Sequence, residues 1–137
     1  MVVDSKTKRS FYSPDHYGGF VEINLLAFDS MKTQNVLVDL SGVESKAQLH
    51  SVLKNCLGFP DFYGANFNAL IDCMSSFRYP EDEMTTIVLQ EDEVLLMEIR
   101  NFSPEMKDLV TMIVYAVQAV SERARSRGRI SSILLTF

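Results

Sequence analysis

The chain has no uncharged apolar run near the roughly 18 to 20 residues that a membrane helix needs, and no apolar stretch of a signal sequence follows the basic residues of "MVVDSKTKRSFYSPD". Both absences lead to the expectation of a soluble, cytoplasmic protein. Its two cysteines, Cys56 and Cys73, are too few for a disulfide framework and lie in no CxxC or Cys/His cluster. That usage suits a reducing compartment. Its two histidines, His16 and His50, are not spaced as metal ligands. Also missing are a phosphate-cradling glycine loop, a GxSxG elbow and a glycine-rich dinucleotide fingerprint. Catalysis needs a nucleophile, base or metal held in recognisable geometry. The expectation is therefore no enzyme, no cofactor and no metal site.

What remains is enough for one domain: 137 residues, 47% of them hydrophobic. The net charge of −5 is unevenly distributed. Residues 1–35 are balanced, residues 36–122 carry fourteen acids against five bases, and the last fifteen residues add Arg123, Arg125, Arg127 and Arg129. An acidic middle disfavours direct nucleic-acid binding and favours a cationic partner. The four arginines near a helix C-terminus are accounted for in the first instance by the helix dipole.

Residues 1–18 show no clear periodicity, although "PDHYG" at Pro14 repeats four of the five residues of "PDFYG" at Pro60, a shared turn chemistry. "FVEINLLAF" alternates Val21, Ile23 and Leu25 against polar residues, and "NVLVDL" at 35–40 is a β-branched apolar run; both predict strands. Over 45–57 the period changes. Ser45 and Gln48 form a capping-box pattern, Leu49, Val52, Leu53 and Cys56 share one helical face, and Gly58 stops the helix. Asn66 is placed to cap a second helix whose Phe67, Leu70, Ile71 and Met74 lie on one face. At about 100° per residue, Asn68 and Asp72 project from the opposite face, with Ser75 and Ser76 nearby. Cys73 is a poor nucleophile on this reading, because the adjacent carboxylate opposes a thiolate.

"MTTIVL" at 84–89 predicts another strand between two acidic "EDE" triplets, and "VLLMEI" at 94–99 a short helix. Ser103 and Pro104 open a long helix with an apolar face from Met106 to Val120, which Gly128 ends. "ISSILLTF" closes the chain as a buried strand. Strands separated by helices predict an α/β fold with a small parallel sheet.

One stretch is more specific than these patterns. "FPDFYGANFNALIDCM", preceded by "LHSVLKNCLGF" and followed by "RGRISSILLTF", resembles the barstar family, intracellular inhibitors of the ribonuclease barnase. The resemblance rests on Phe62, Tyr63, Gly64, Asn66, Phe67, Ala69, Leu70, Asp72 and Cys73, with Asn68 and Ile71 at the two remaining places of the motif, and covers about residues 36–137. It implies a barstar-like domain over 36–137, a three-stranded parallel sheet packed by helices, after a 1–35 extension with an edge strand. It also implies that the second helix and its preceding loop form the inhibitory face. The partner would be a ribonuclease or nuclease-type toxin with a cationic active site. Asp72 would mimic a phosphate, Asn66 and Asn68 would hydrogen-bond, Phe62, Tyr63 and Ile71 would supply contact area, and Ser75 and Ser76 would lie beside them.

Three departures bear on the partner. Asn68 stands where the family has a second acid, Ile71 where it has an aromatic, and Arg123 and Arg127 near a turn where the family founder has carboxylates. These point to a nuclease other than barnase, or to a rival reading: a barstar-like binding module for a non-nuclease or RNA-associated partner. The 1–35 extension either helps to choose that partner or only adds an edge strand.

Overall fold

The computed structural model describes residues 8–12, 20–24 and 32–137. His16, Leu25 and the Pro14 turn lie outside them. Five strands form one sheet: β1 (Lys8–Tyr12), β2 (Phe20–Asn24), β3 (Lys32–Asp39), β4 (Glu93–Arg100) and β5 (Ile133–Thr136), in the spatial order β2-β1-β5-β4-β3. β3, β4 and β5 are parallel, and β1, which pairs antiparallel with β2, also joins β5 antiparallel. Among the described residues, three α-helices pack with the sheet in an α/β fold: α1 (Lys46–Leu57), α2 (Phe67–Met74) and α3 (Lys107–Ser126).

The helix boundaries follow from local chemistry. Ser45 caps α1 by accepting from the Gln48 amide at 3.1 Å. The Gln48 side chain returns the contact to the Glu44 amide, one residue earlier than in a standard capping box. Gly58 ends α1 in the left-handed conformation, φ 65°, where a Cβ would run into Thr86. At the other end of the fold, Gly128 and Arg129 close α3 with a Schellman pair, their amides donating to Arg125 and Ala124 at 2.9 Å.

Two short apolar runs exchange roles relative to the sequence expectation. Residues 94–99 are not a helix but the heart of β4, the strand between β3 and β5. Both sides of β4 are hydrogen-bonded, and its residues are buried or half-buried on both faces up to Arg100, so its apolar run has no period to display. Residues 84–89 are not a strand. Their backbone bonds instead to loops and helix ends, Thr86 N–H to Gly58 at 3.0 Å and Leu89 N–H to Phe77 at 2.8 Å. The parallel three-strand count is unchanged, but its middle member lies nine residues later. Pro104 likewise opens a short 3₁₀ turn, Pro104–Met106, before α3 begins at Lys107.

The core lies between the sheet and the helices. Leu49, Leu53 and Leu57 of α1, Leu70 and Met74 of α2, and Ile113 and Val117 of α3 meet Leu95, Met97 and Ile99 of β4. α2 also packs directly on α3. That contact places the outer face of α2 beside the arginine-rich last turns of α3. Among the described residues, no helix is long and apolar enough to cross a membrane.

Candidate functional site

The loop between α1 and α2 is shaped from below by aromatics. Phe59 is buried, and its ring centroid lies 4.9 Å from that of Tyr63. Tyr63 folds back through its amide, which donates to Pro60 at 2.9 Å, and its hydroxyl meets Nδ1 of buried His50 at 2.5 Å. Burial, with Lys46 nearby, lowers the His50 pKa, so the imidazole is held neutral and able to accept. Burial likewise raises the Tyr63 pKa, which keeps the hydroxyl a donor. Tyr63 is thus half-buried support for the loop, while Phe62 stands out at 73% exposure.

Asn66 then starts α2. Its Oδ1 accepts from the Ala69 amide at 2.8 Å, the bond of an N-cap. One of its polar atoms is therefore committed internally, and its Nδ2 faces the Gly64 carbonyl at the longer distance of 3.5 Å. Along α2, Leu70, Ile71, Cys73 and Met74 are buried, whereas Asn68 and Asp72 are exposed on the same outer face. Helical spacing separates Asp72 from Cys73 as expected. Burial, with the Asp72 carboxylate adjacent, pushes the Cys73 thiol up to about 11.

The eight residues expected at the partner face do not form one continuous surface. Phe62, Asn66, Asn68 and Asp72 are exposed, and Tyr63 and Ser75 are half-buried. Ile71 is 7% exposed and belongs to the core. Ser76, at 5%, points inward and donates to Asp82 Oδ2 at 3.2 Å and to the Asp72 carbonyl. Ile71 and Ser76 therefore support the face from behind. Phe67, placed by its spacing on the core side of α2, is instead 38% exposed and borders the same surface.

Asp72 is not isolated. Arg123 of α3 places Nη1 2.8 Å from Asp72 Oδ1 and 3.4 Å from Ser75 Oγ. Both side chains of the pair are about half exposed. Arg78 and Tyr79, just beyond α2, are absent from the sequence expectations; they bring the same corner to Arg127 and Arg129. "FRYP" at 77–80 carries no periodicity to mark it, and the convergence exists only once α2 and α3 pack. Among the described residues, no group of three or more His, Cys, Asp or Glu is arranged to hold a metal ion.

A family model described as "Barstar (barnase inhibitor)" matches residues 33–134. Over 77 residues the chain is 29% identical to a Bacillus subtilis (strain 168) protein named "Putative ribonuclease inhibitor YrdF"; the match spans 56% of this chain and 81% of that protein.

Proposed function

Because the chain belongs to the barstar family, we propose that it inhibits a ribonuclease-like enzyme by laying the outer face of α2 and the Phe62 loop over a cationic active site. An enzyme that cleaves RNA presents positive charge to a phosphate, and a carboxylate held in that position occupies the same electrostatic well. Asp72 is the carboxylate in this reading. Asn68 and the remaining donor of Asn66 offer hydrogen bonds, and Phe62 and Phe67 offer apolar area around it. The protein performs no reaction in this role. If the enzyme is made in the same cytoplasm, the inhibitor is an immunity protein.

The observation that carries the reading is the exposed Asp72–Asn68 face of a helix capped by Asn66, within the matched part of the chain. Its corollary is that a partner must displace Arg123 from Asp72 or accept the pair as it stands. The test measures inhibition of a panel of barnase-type ribonucleases by the wild type and by Asp72→Ala. Loss of inhibition by two or more orders of magnitude is expected of a hot-spot charge, on the order of 3 kcal/mol or more. The barnase–barstar interface is itself the type case of such hot spots, and its scale is carried over to this chain. Undiminished inhibition by Asp72→Ala removes the proposed role of that residue.

A further inference from the structure

A second charged feature borders the Asp72 face and has the opposite sign. Arg78, from the segment after α2, and Arg127 and Arg129, from the end of α3, surround Tyr79. The guanidinium carbons of Arg127 and Arg129 lie 4.8 and 5.7 Å from its ring centroid. The Schellman turn at Gly128 folds Arg129 back toward this corner. The helix dipole accounts for Arg123 and Arg125 in the last turn of α3. It does not account for Arg78, which arrives from another element.

Arg78 is fixed by donating to the Glu93 carbonyl at 2.8 Å and the Ile130 carbonyl at 3.2 Å, which leaves its buried Nε without a partner. Arg129 reaches the exposed carboxylate of Glu91 at 3.3 Å. Arg127 has no carboxylate partner among the described residues. Between these groups lies an open cleft of about 330 Å³, lined by Arg78, Glu91, Arg127, Gly128, Arg129 and Ile130. A smaller neighbouring pocket shares Arg78, Arg127 and Arg129 with it and is also lined by Ser75, Tyr79 and Arg123. Across the two, four guanidinium groups stand beside two carboxylates, Asp72 and Glu91. Like charges gathered this way oppose one another until an anion joins them. Burial and the neighbouring Arg129 lower the Arg78 pKa accordingly.

We propose that this arginine cleft is a second contact site, which takes a carboxylate side chain of the same protein whose cationic site Asp72 enters. The identity of that protein as a nuclease rests on the reading above; the carboxylate site rests on the cleft itself. A planar guanidinium fork matches a carboxylate in two-point geometry, and the chain already pairs its arginines with carboxylates on either side of the cleft, at Asp72 and Glu91. An extended nucleic acid is a poorer fit, because residues 36–122 carry fourteen acids against five bases and repel a polyanion beyond the cleft. The partner is thus a protein with an acidic residue flanking a cationic pocket, and the contact fixes the register in which the inhibitor docks.

Two measurements decide it. In the first, arginine Nε–Hε signals are followed by NMR while the chain is titrated with an oligoglutamate peptide, and separately with a single-stranded RNA of equal charge. The peptide is expected to move the Arg78, Arg127 and Arg129 signals and leave Arg125 unmoved. The double variant Arg127→Gln/Arg129→Gln weakens peptide binding roughly tenfold, and Arg125→Gln changes it by less than about twofold. RNA binding as tight as the peptide overturns the proposal in favour of a nucleic-acid face, and equal effects at Arg125 and Arg127 reduce it to nonspecific attraction. In the second, Arg127→Glu is compared with Arg125→Glu for inhibition of a sensitive ribonuclease, where only Arg127→Glu is expected to lose roughly tenfold. The first measurement contains no nuclease, so its failure is distinct from a failure of Asp72 to inhibit.

Discussion

Arg123 Nη1 lies 2.8 Å from Asp72 Oδ1, so residues fifty-one positions apart join the last turns of α3 to the outer face of α2. The carboxylate proposed to enter the enzyme's site is therefore partnered already. Both groups are about half exposed, and an ion pair in that setting contributes between roughly 0.2 and 1 kcal/mol. In the proposed complex a guanidinium of the enzyme replaces Arg123 at that modest cost.

Replacing Arg123 tests the competition. Arg123→Gln is expected to lower stability in urea only slightly, by less than about 1 kcal/mol, and to tighten inhibition by up to about fivefold because Asp72 no longer exchanges partners. A loss of inhibition comparable with Asp72→Ala means instead that the intact pair is what the enzyme recognises.

Acid is expected to loosen the loop through His50. Its pKa is lowered in the fold from 6.5, chiefly by burial and then by Lys46. The unfolded chain therefore binds more protons below that value, and the contribution of neutral His50 is complete above it and lost as pH falls towards the lower folded pKa. Urea midpoints measured between about pH 7.5 and pH 5 are expected to decline, with a shallower slope in His50→Gln. Asp39, held at about 2 by Asn101 and Ser41, titrates well below this range and cannot produce the same slope. Equal slopes in both proteins exclude His50 as the source.

Ile71 and Phe62 are expected to separate stability from binding. Ile71→Ala empties part of the core and costs about 2–4 kcal/mol of stability, with inhibition per folded molecule largely retained. Phe62→Ala, at an exposed position, changes stability by less than about 0.5 kcal/mol and weakens inhibition. Denaturation and inhibition titrations of the two variants give opposite rankings if the assignment is right.

Cys73 is expected to be inert. The residue is 1% exposed and its thiol is pushed up to about 11, so thiolate at neutral pH is scarce as well as shielded. Iodoacetamide followed by mass spectrometry should find Cys73 unmodified in the native protein and modified in urea. Native alkylation of Cys73 faster than of partly exposed Cys56 contradicts the structure.

What is legible in the sequence is mostly local. The Ser45 and Asn66 caps each close over three residues, and the outward direction of Asn68 and Asp72 needs only the helical repeat. Ile71 carries two readings: its spacing with Leu70 and Met74 places it in the core, the family resemblance places it at the partner face, and the structure buries it. The exchange between 84–89 and 93–100 is not legible, because a short apolar run fits a buried strand and a short buried helix equally well. The choice depends on the pairing of Lys32 with Glu93 and of Leu95 with Ile133, across long stretches of chain. The Arg123–Asp72 pair and the arginine cleft share that dependence, since both are products of α2 packing on α3.

β5 is the last of the described strands to leave a ribosome, yet all four of its residues are buried and it pairs with β4 inside the sheet. A nascent chain that has released α1, α2 and α3 still lacks the strand against which their common core is completed. Native structure must then form late and through distant pairings, a topology that folds slowly for its size. During synthesis the outer face of α2 thus reaches its native packing only once β5 has emerged, and on the proposed reading the onset of inhibition is set by the slow closure of the sheet as well as by affinity.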